Sequence, residues 1–199
     1  MAASLQDHSP YAVVFDLEFT AWEGSQERSW LAPGEYAELV QIGAVKVDNM
    51  FTPLAEFDRI LRPRLNPELS GYMQRLTAIT NDDIRERGVD FIEAYRDFAA
   101  FAGELPILSF GRDDLIFIDN VRLYGLKGLP ALPPFVDLRG WLQAQGIDIT
   151  SRKFHACDVG PAAGVPFNGH AHNGLADAYS VAAGVAALMA RGAPPPRAA

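Results

Sequence analysis

The stretch YAVVFDLEF, residues 11–19, decides how the chain is read. It is rich in Val and Phe and reads as a strand. Asp16 and Glu18 emerge near its end, and residues two apart on a strand point to the same face. Two carboxylates side by side on a mostly apolar strand repel each other and are costly to desolvate unless a cation neutralises them. Taken alone a D-x-E pair is common, and a strand end reaching solvent explains it equally well.

Outward from this strand, residues 20–38 form a polar insertion containing Gly24, Pro33 and Gly34, hence a loop. Residues 38–48 (ELVQIGAVKVD) and 56–62 (EFDRILR) read as further strands, and the three suggest an antiparallel meander. Residues 67–76 read as a short helix with Pro67 in its first turn, and 81–87 as another. Residues 91–102 are amphipathic and helical. Residues 106–110 (PILSF) read as a short buried strand, 114–124 as a helix ended by Gly125, and 136–145 as a helix ended by Gly146. Residues 152–171 read as irregular, and 175–191 as a long Ala-rich helix. Strands first, then helices alternating with strands, imply an α/β protein with a mixed sheet and helices on both faces.

The chain has 199 residues, 49% of them hydrophobic, which suits one well-buried core. Charges interrupt every apolar run, so no membrane span is expected. The first ten residues lack the basic and apolar regions of a signal peptide. Cys157 is the single cysteine and cannot form an internal disulfide, which fits a reducing, cytoplasmic setting. Residues 1–9 and 192–199 are expected to be flexible flanks of one domain, residues 10–191. The net charge of −8 argues against a protein that grips long duplex through many phosphates. It favours a short or single-stranded partner, or acids gathered at a cation site.

Two further stretches carry chemistry. In HNGLADA, residues 172–178, His172 precedes the last helix and Asp177 lies in its first turns. Compensation of the helix dipole would account for Asp177 by itself. In SFGRDDL, residues 109–115, a strand ends, turns through Gly111 and enters a helix behind Asp113 and Asp114. Asp113 has the placement of an N-cap. A second acid directly after it is less explained by capping, and its offset to Gly111 and to the apolar helix face favours Asp114 as the functional carboxylate, with Asp113 the alternative. Together, Asp16, Glu18, Asp114 and Asp177 each stand at an element end in an order one sheet can gather. Four converging carboxylates are what a pair of Mg²⁺ or Mn²⁺ ions requires. A neutral histidine nearby can take a proton from water.

In these residues the chain resembles the DEDDh 3′–5′ exonucleases of the ribonuclease H-like fold, over residues 11–191. Asp16 and Glu18 match the first motif, Asp114 the second, and His172 with Asp177 the third. LTAIT, residues 76–80, is similar to the segment with which these enzymes wedge against terminal bases. The run from Arg62-Pro63 to Leu69-Ser70 and the H-x-G-L-x-D-A spelling lean toward the Eri-like branch. The resemblance implies a five-stranded mixed sheet whose first three strands are antiparallel. It implies two divalent ions, Mg²⁺ or Mn²⁺, one held by Asp16, Glu18 and Asp177, the other by Asp16 with Asp114. It implies His172 as general base, and contacts from Phe19, Thr20, Leu76 and Thr77 to a single-stranded 3′ end of RNA or DNA. The products would be nucleoside 5′-monophosphates. Phe19 stands where many relatives carry Thr, and residues 22–37 have no counterpart.

Other residues have plainer readings. His170 lies seven residues before Asp177, not five, and ranks below His172. His155 and Cys157 lack the further soft ligands of a zinc site. Trp22, Trp30 and Trp141 suit core packing, and only Trp22 is near enough to the acids to stack a base. Arg112 fits a phosphate contact or a solvated helix start. Against the exonuclease reading stand a non-catalytic protein that kept the fold and a phosphodiesterase for small nucleotides. No residue pattern speaks to oligomeric state.

Overall fold

The computed structural model describes residues 9–151 and 153–196. The expected flexible N-terminal segment, except Ser9, and residues 197–199 of the tail lie outside them. Three antiparallel strands come first: β1 (Ala12–Phe19), β2 (Leu39–Val47) and β3 (Pro53–Ile60). β4 (Ile107–Ser109) pairs parallel with β1, and β5 (Phe135–Asp137) pairs parallel with β4. The sheet order is β3-β2-β1-β4-β5. Helices α1 (Gly71–Thr77), α2 (Asn81–Arg87), α3 (Phe91–Ala102), α4 (Asp113–Leu123), α5 (Arg139–Ala144), α6 (Val159–Ala162) and α7 (Gly174–Ala190) complete the chain. Among the described residues no helix is long and apolar enough to cross a membrane.

β1 is central, and its alternation sorts the two cores. Val13, Phe15 and Leu17 face α3 and α4, where Phe15, Phe98 and Phe117 stack with centroids 5.4–6.0 Å apart. Ala12 and Val14 face α7, packing with Ala178, Val181 and Val185. Asp16 and Glu18 continue that second face, so both carboxylates point toward the start of α7.

Two glycines let α7 come that close. Gly43 on β2 lies opposite Asp16, and a Cβ there would sit 2.0 Å from the Leu175 nitrogen and 2.1 Å from the Gly174 carbon. A Cβ on Gly174 would meet the Asp16 carbonyl oxygen at 3.0 Å. The helix start is pinned there by the Gly174 N–H, which donates to the Gln41 side chain at 2.9 Å. Gly43→Ala therefore has to lift the first turn of α7 off the sheet. It is expected to cost about 1–3 kcal/mol or more of stability, read by denaturant titration, and roughly 10²-fold in turnover, because Asp177 is displaced with the helix. Wild-type turnover in this variant would show that the close approach is immaterial.

Three expectations are corrected. β5 is a strand where residues 136–145 were read as one helix. Pro133 and Pro134 hold the chain extended into β4's open edge, and α5 begins only after the Asp137 carboxylate accepts the Arg139 N–H at 3.0 Å. α1 starts at Gly71 rather than at Pro67, because the Ser70 hydroxyl accepts the Met73 N–H at 3.0 Å and caps the helix there. Residues 152–171 are not irregular throughout: a 3₁₀ turn (Ala156–Asp158) and α6 pack under α7. The described part of the tail lies against the fold, with the Pro194 carbonyl accepting from the Trp141 indole N–H at 2.9 Å.

Candidate active site

Asp16, Glu18, Asp113 and Asp177 line one cleft of about 690 Å³, together with His172. Carboxylate oxygens of Glu18 and Asp177 and a ring nitrogen of His172 lie within 4.8 Å of one another. Glu18 and Asp177 are 7% and 2% exposed, so neither charge is relieved by bulk water.

Asp114 does not join them. α4 begins one residue earlier than the sequence suggests, with Arg112 in the N-cap place and no side-chain cap bond. Asp113, first in the helix, faces the β1 acids. The next residue is rotated by about 100°, and Asp114 turns outward to pair with the Arg112 guanidinium at 2.8 Å. It lines a separate apolar groove beside Phe117 and Phe135. The offset put Asp114 with the β1 acids, whereas the helix start places Asp113 there instead.

The electrostatics are those of unneutralised acids. Burial holds the Asp16 carboxyl well above the usual range, and Asp113, Glu18 and Asp177 add to it. Glu18 is raised likewise by burial, then by Asp177 and Asp113. Burial pushes Asp113 up to about 7, with Ser109 and Arg139 opposing and Asp114 and Asp137 adding. Asp177 is also pushed up to about 7 by burial, although the His172 backbone N–H donates to its Oδ2 at 3.2 Å. Asp113 Oδ2 and Asp177 Oδ1 are buried with no hydrogen-bond donor. Glu38 shows how this fold satisfies a structural carboxylate. It accepts the N–H groups of Arg64, Leu65 and Asn66 and the Tyr124 hydroxyl, at 2.6–2.8 Å. The cleft acids have carboxylate oxygens facing a shared space instead, which fits hard cations with oxygen ligands.

These shifts set a pH dependence. The folded-state pKa values of Asp113 and Asp177 lie above the unfolded value of about 4. Their protonated forms therefore favour the fold below pH ~4, and that contribution is lost as pH rises through about 7. In EDTA, Tm is expected to fall by ~5 °C or more between pH 5 and pH 8. Saturating Mn²⁺ should remove most of the fall. A flat profile in EDTA would mean the acids are already neutralised within the protein.

His172 has a left-handed backbone, φ 61°, uncommon for a residue with a Cβ. Its ring meets that of His155 edge to face, centroids 4.9 Å apart. Burial lowers its pKa, helped by His155 and His170 and opposed by Asp158, so the ring is kept in its neutral, proton-accepting form. His170 is exposed and donates its Nε2–H to the Leu76 carbonyl at 3.0 Å.

Of the four expected substrate contacts, Phe19 and Leu76 line the cleft. Thr20 and Thr77 do not, being 2% and 0% exposed. The Thr20 hydroxyl donates to the Tyr36 carbonyl and accepts the Glu38 N–H, closing the base of the 20–38 loop. The Thr77 hydroxyl donates to the Met73 carbonyl and accepts the Ile79 N–H, so it closes the end of α1. Trp30 is in the cleft as well as Trp22, because the loop folds back and sets the Trp30 ring tilted against Phe19, centroids 5.3 Å apart. Phe110, from the 109–115 stretch, and His155 line it too, as do Tyr72, Arg139 and Phe154, whose sequence neighbourhoods carry no signal of it. Trp141 packs under the tail, and the Cys157 thiol is pushed up to about 12 by burial, hence inert.

The mixed sheet and the helices packed on it thus gather acids where β1 ends and where α4 and α7 begin. The chain belongs to the exonuclease family: the family model described as Exonuclease (RNase T) matches residues 13–184. No curated protein matches the sequence. Solved structures share the fold at low identity. The nuclease domain of 3′hExo, a DEDDh family member bound to rAMP, is 21% identical, with a TM-score of 0.76 and 96% of each chain covered. Exonuclease I of E. coli with a dA16 oligonucleotide is 14% identical (TM-score 0.67, 90% of this chain and 41% of that one). Pop2p of S. pombe with Mg²⁺ and Mn²⁺ is 13% identical (TM-score 0.65, 92% and 84%).

Proposed function

We propose that this nuclease removes nucleotides one at a time from single-stranded 3′ ends, RNA or DNA, by metal-dependent phosphodiester hydrolysis. The observation that carries this reading is the set of four carboxylates in one cleft, two of them with buried oxygens that no protein donor reaches. Asp16, Glu18, Asp113 and Asp177 would hold the cations, Mg²⁺ or Mn²⁺, two per site. When bound, the ions would offset charge developing on the phosphate and favour ionisation of the attacking water. His172 takes the proton of that water, and its lowered pKa suits it to accept at neutral pH. Phe19 and Leu76 face the terminal nucleotide, which leaves as a 5′-monophosphate. The preference for a nucleic-acid end draws support from the ligands in the related structures, rAMP and dA16, and the cations from Pop2p.

The test is to incubate the protein with 5′-labelled single-stranded oligonucleotides in Mn²⁺ or Mg²⁺. A ladder shortening from the 3′ end with release of 5′-mononucleotides is expected, abolished by EDTA. Internal cuts, or equal activity in EDTA, would overturn the reading. Hydrolysis confined to small nucleotides would favour the phosphodiesterase alternative.

A further inference from the structure

The cleft lining is rich in aromatic side chains and poor in cationic ones. Residues 21–27 and Trp30 line it, as do Tyr72, Phe110 and Phe154. The loop's share of the lining is fixed in place. The Trp30 indole N–H donates to the Thr20 carbonyl at 2.8 Å, the Trp22 N–H to the Ser25 hydroxyl at 2.8 Å, and the Asn66 amide to the Gly34 carbonyl at 3.0 Å. Among the described residues lining the cleft, Arg139 is the single Lys or Arg, and Asp137 holds its guanidinium at 2.6 Å. Arg28, the loop's own cation, is bound by the Glu35 carboxylate and donates to the Glu23 carbonyl at 2.8 Å. Glu23 and Glu27 are exposed on the rim.

A strand that extended past this loop would bring further phosphates toward Glu23 and Glu27, and among the described residues lining the cleft no Lys or Arg stands outside the Arg139–Asp137 pair to meet them. Its bases would still find aromatic faces, and stacking is sequence-tolerant and strong. We infer that the 20–38 loop restricts this enzyme to oligonucleotides of a few residues, held by stacking on Trp22 and its aromatic neighbours rather than by phosphate–cation pairs. The inference rests on the exonuclease reading and names the substrate class of that same cleft.

The experiment measures mononucleotide release from single-stranded dimers, pentamers and icosamers, RNA and DNA, at saturating Mn²⁺ and several salt concentrations. Efficiency, kcat/KM, is expected to be highest for the dimer or pentamer and about tenfold lower for the icosamer, with a salt slope near zero for the short substrates. Trp22→Ala should raise KM for the dimer about tenfold with little change in kcat. The double variant Glu23→Gln, Glu27→Gln should raise the icosamer-to-dimer efficiency ratio about threefold or more. Efficiency that climbs about tenfold from dimer to icosamer, with a log–log salt slope of about −2 or steeper, would overturn this inference and leave the exonuclease reading standing. So would an unchanged length profile in the double variant. No release from any length would overturn both.

Discussion

Asp113→Asn is expected to lower turnover by about 10³-fold or more at saturating Mn²⁺, while Asp114→Asn stays within about threefold of wild type. Outer-shell partners of a metal site alone are worth about 10–100-fold, so removing an anionic oxygen from the site itself should cost more. Asp113 is the acid of α4 that shares the cleft with Asp16 and Glu18 and raises the pKa of both. Asp114 has its carboxylate in the Arg112 guanidinium, half exposed, an ion pair worth ~0–1 kcal/mol. The two variants differ in a second measurable way. Neutralising Asp113 relieves repulsion among buried acids, so the metal-free Asp113→Asn protein should melt no lower than wild type and gain most above pH 7. Neutralising Asp114 should change that pH profile less, since its charge only adds to the burial that raises Asp113. Steady-state rates together with melting curves in EDTA separate a cation-site role from a folding role. Should Asp114→Asn be the inactive variant, Asp114 and not Asp113 supplies the fourth carboxylate of the site.

What could be read from the residues divides along physical lines. Period-two alternation in β1 and the apolar run of β2 are local signals, and both strands fall where the pattern puts them. Asp16 and Glu18 were legible because two charges on an apolar strand are locally anomalous. His172 and Asp177 were legible because Asn173 caps α7 with its side chain on the Ala176 N–H, which sets where the helix begins. Asp113 was ranked behind Asp114 because its helix lacks a side-chain cap, so nothing local marks its first residue, and one residue of error turns a carboxylate by about 100°. β5 was missed because three residues are too few for a period, and its conformation is set by pairing with β4. Thr20 and Thr77 followed a resemblance, whereas the hydroxyls close a loop and a helix end. The aromatic walls come from segments as distant as Phe19 and Phe154, and only the tertiary fold brings them together.

His172→Asn is expected to lose about 10²–10⁴-fold in the single-turnover rate and to keep cation binding, while His170→Ala changes the rate by less than about threefold. Asparagine is the replacement to use because it tolerates the left-handed backbone that His172 adopts at φ 61°. It also keeps the backbone N–H that donates to Asp177 Oδ2, so the third-motif carboxylate stays in position. What it removes is the ring nitrogen that lies within 4.8 Å of the Glu18 and Asp177 oxygens. A proton acceptor must be within reach of the attacking water, and that water must be where the cations are. His172 meets the requirement by position and by its lowered pKa. His170 does not, because its imidazole is exposed and bonded to the Leu76 carbonyl 3.0 Å away. Mn²⁺ binding followed by calorimetry on both variants distinguishes a lost base from a lost ligand. A rate loss in His172→Asn accompanied by an equal loss of Mn²⁺ affinity would make His172 a ligand. A severe loss in His170→Ala with near-normal chemistry in His172→Asn would transfer the base to the other histidine and dissolve the third-motif match.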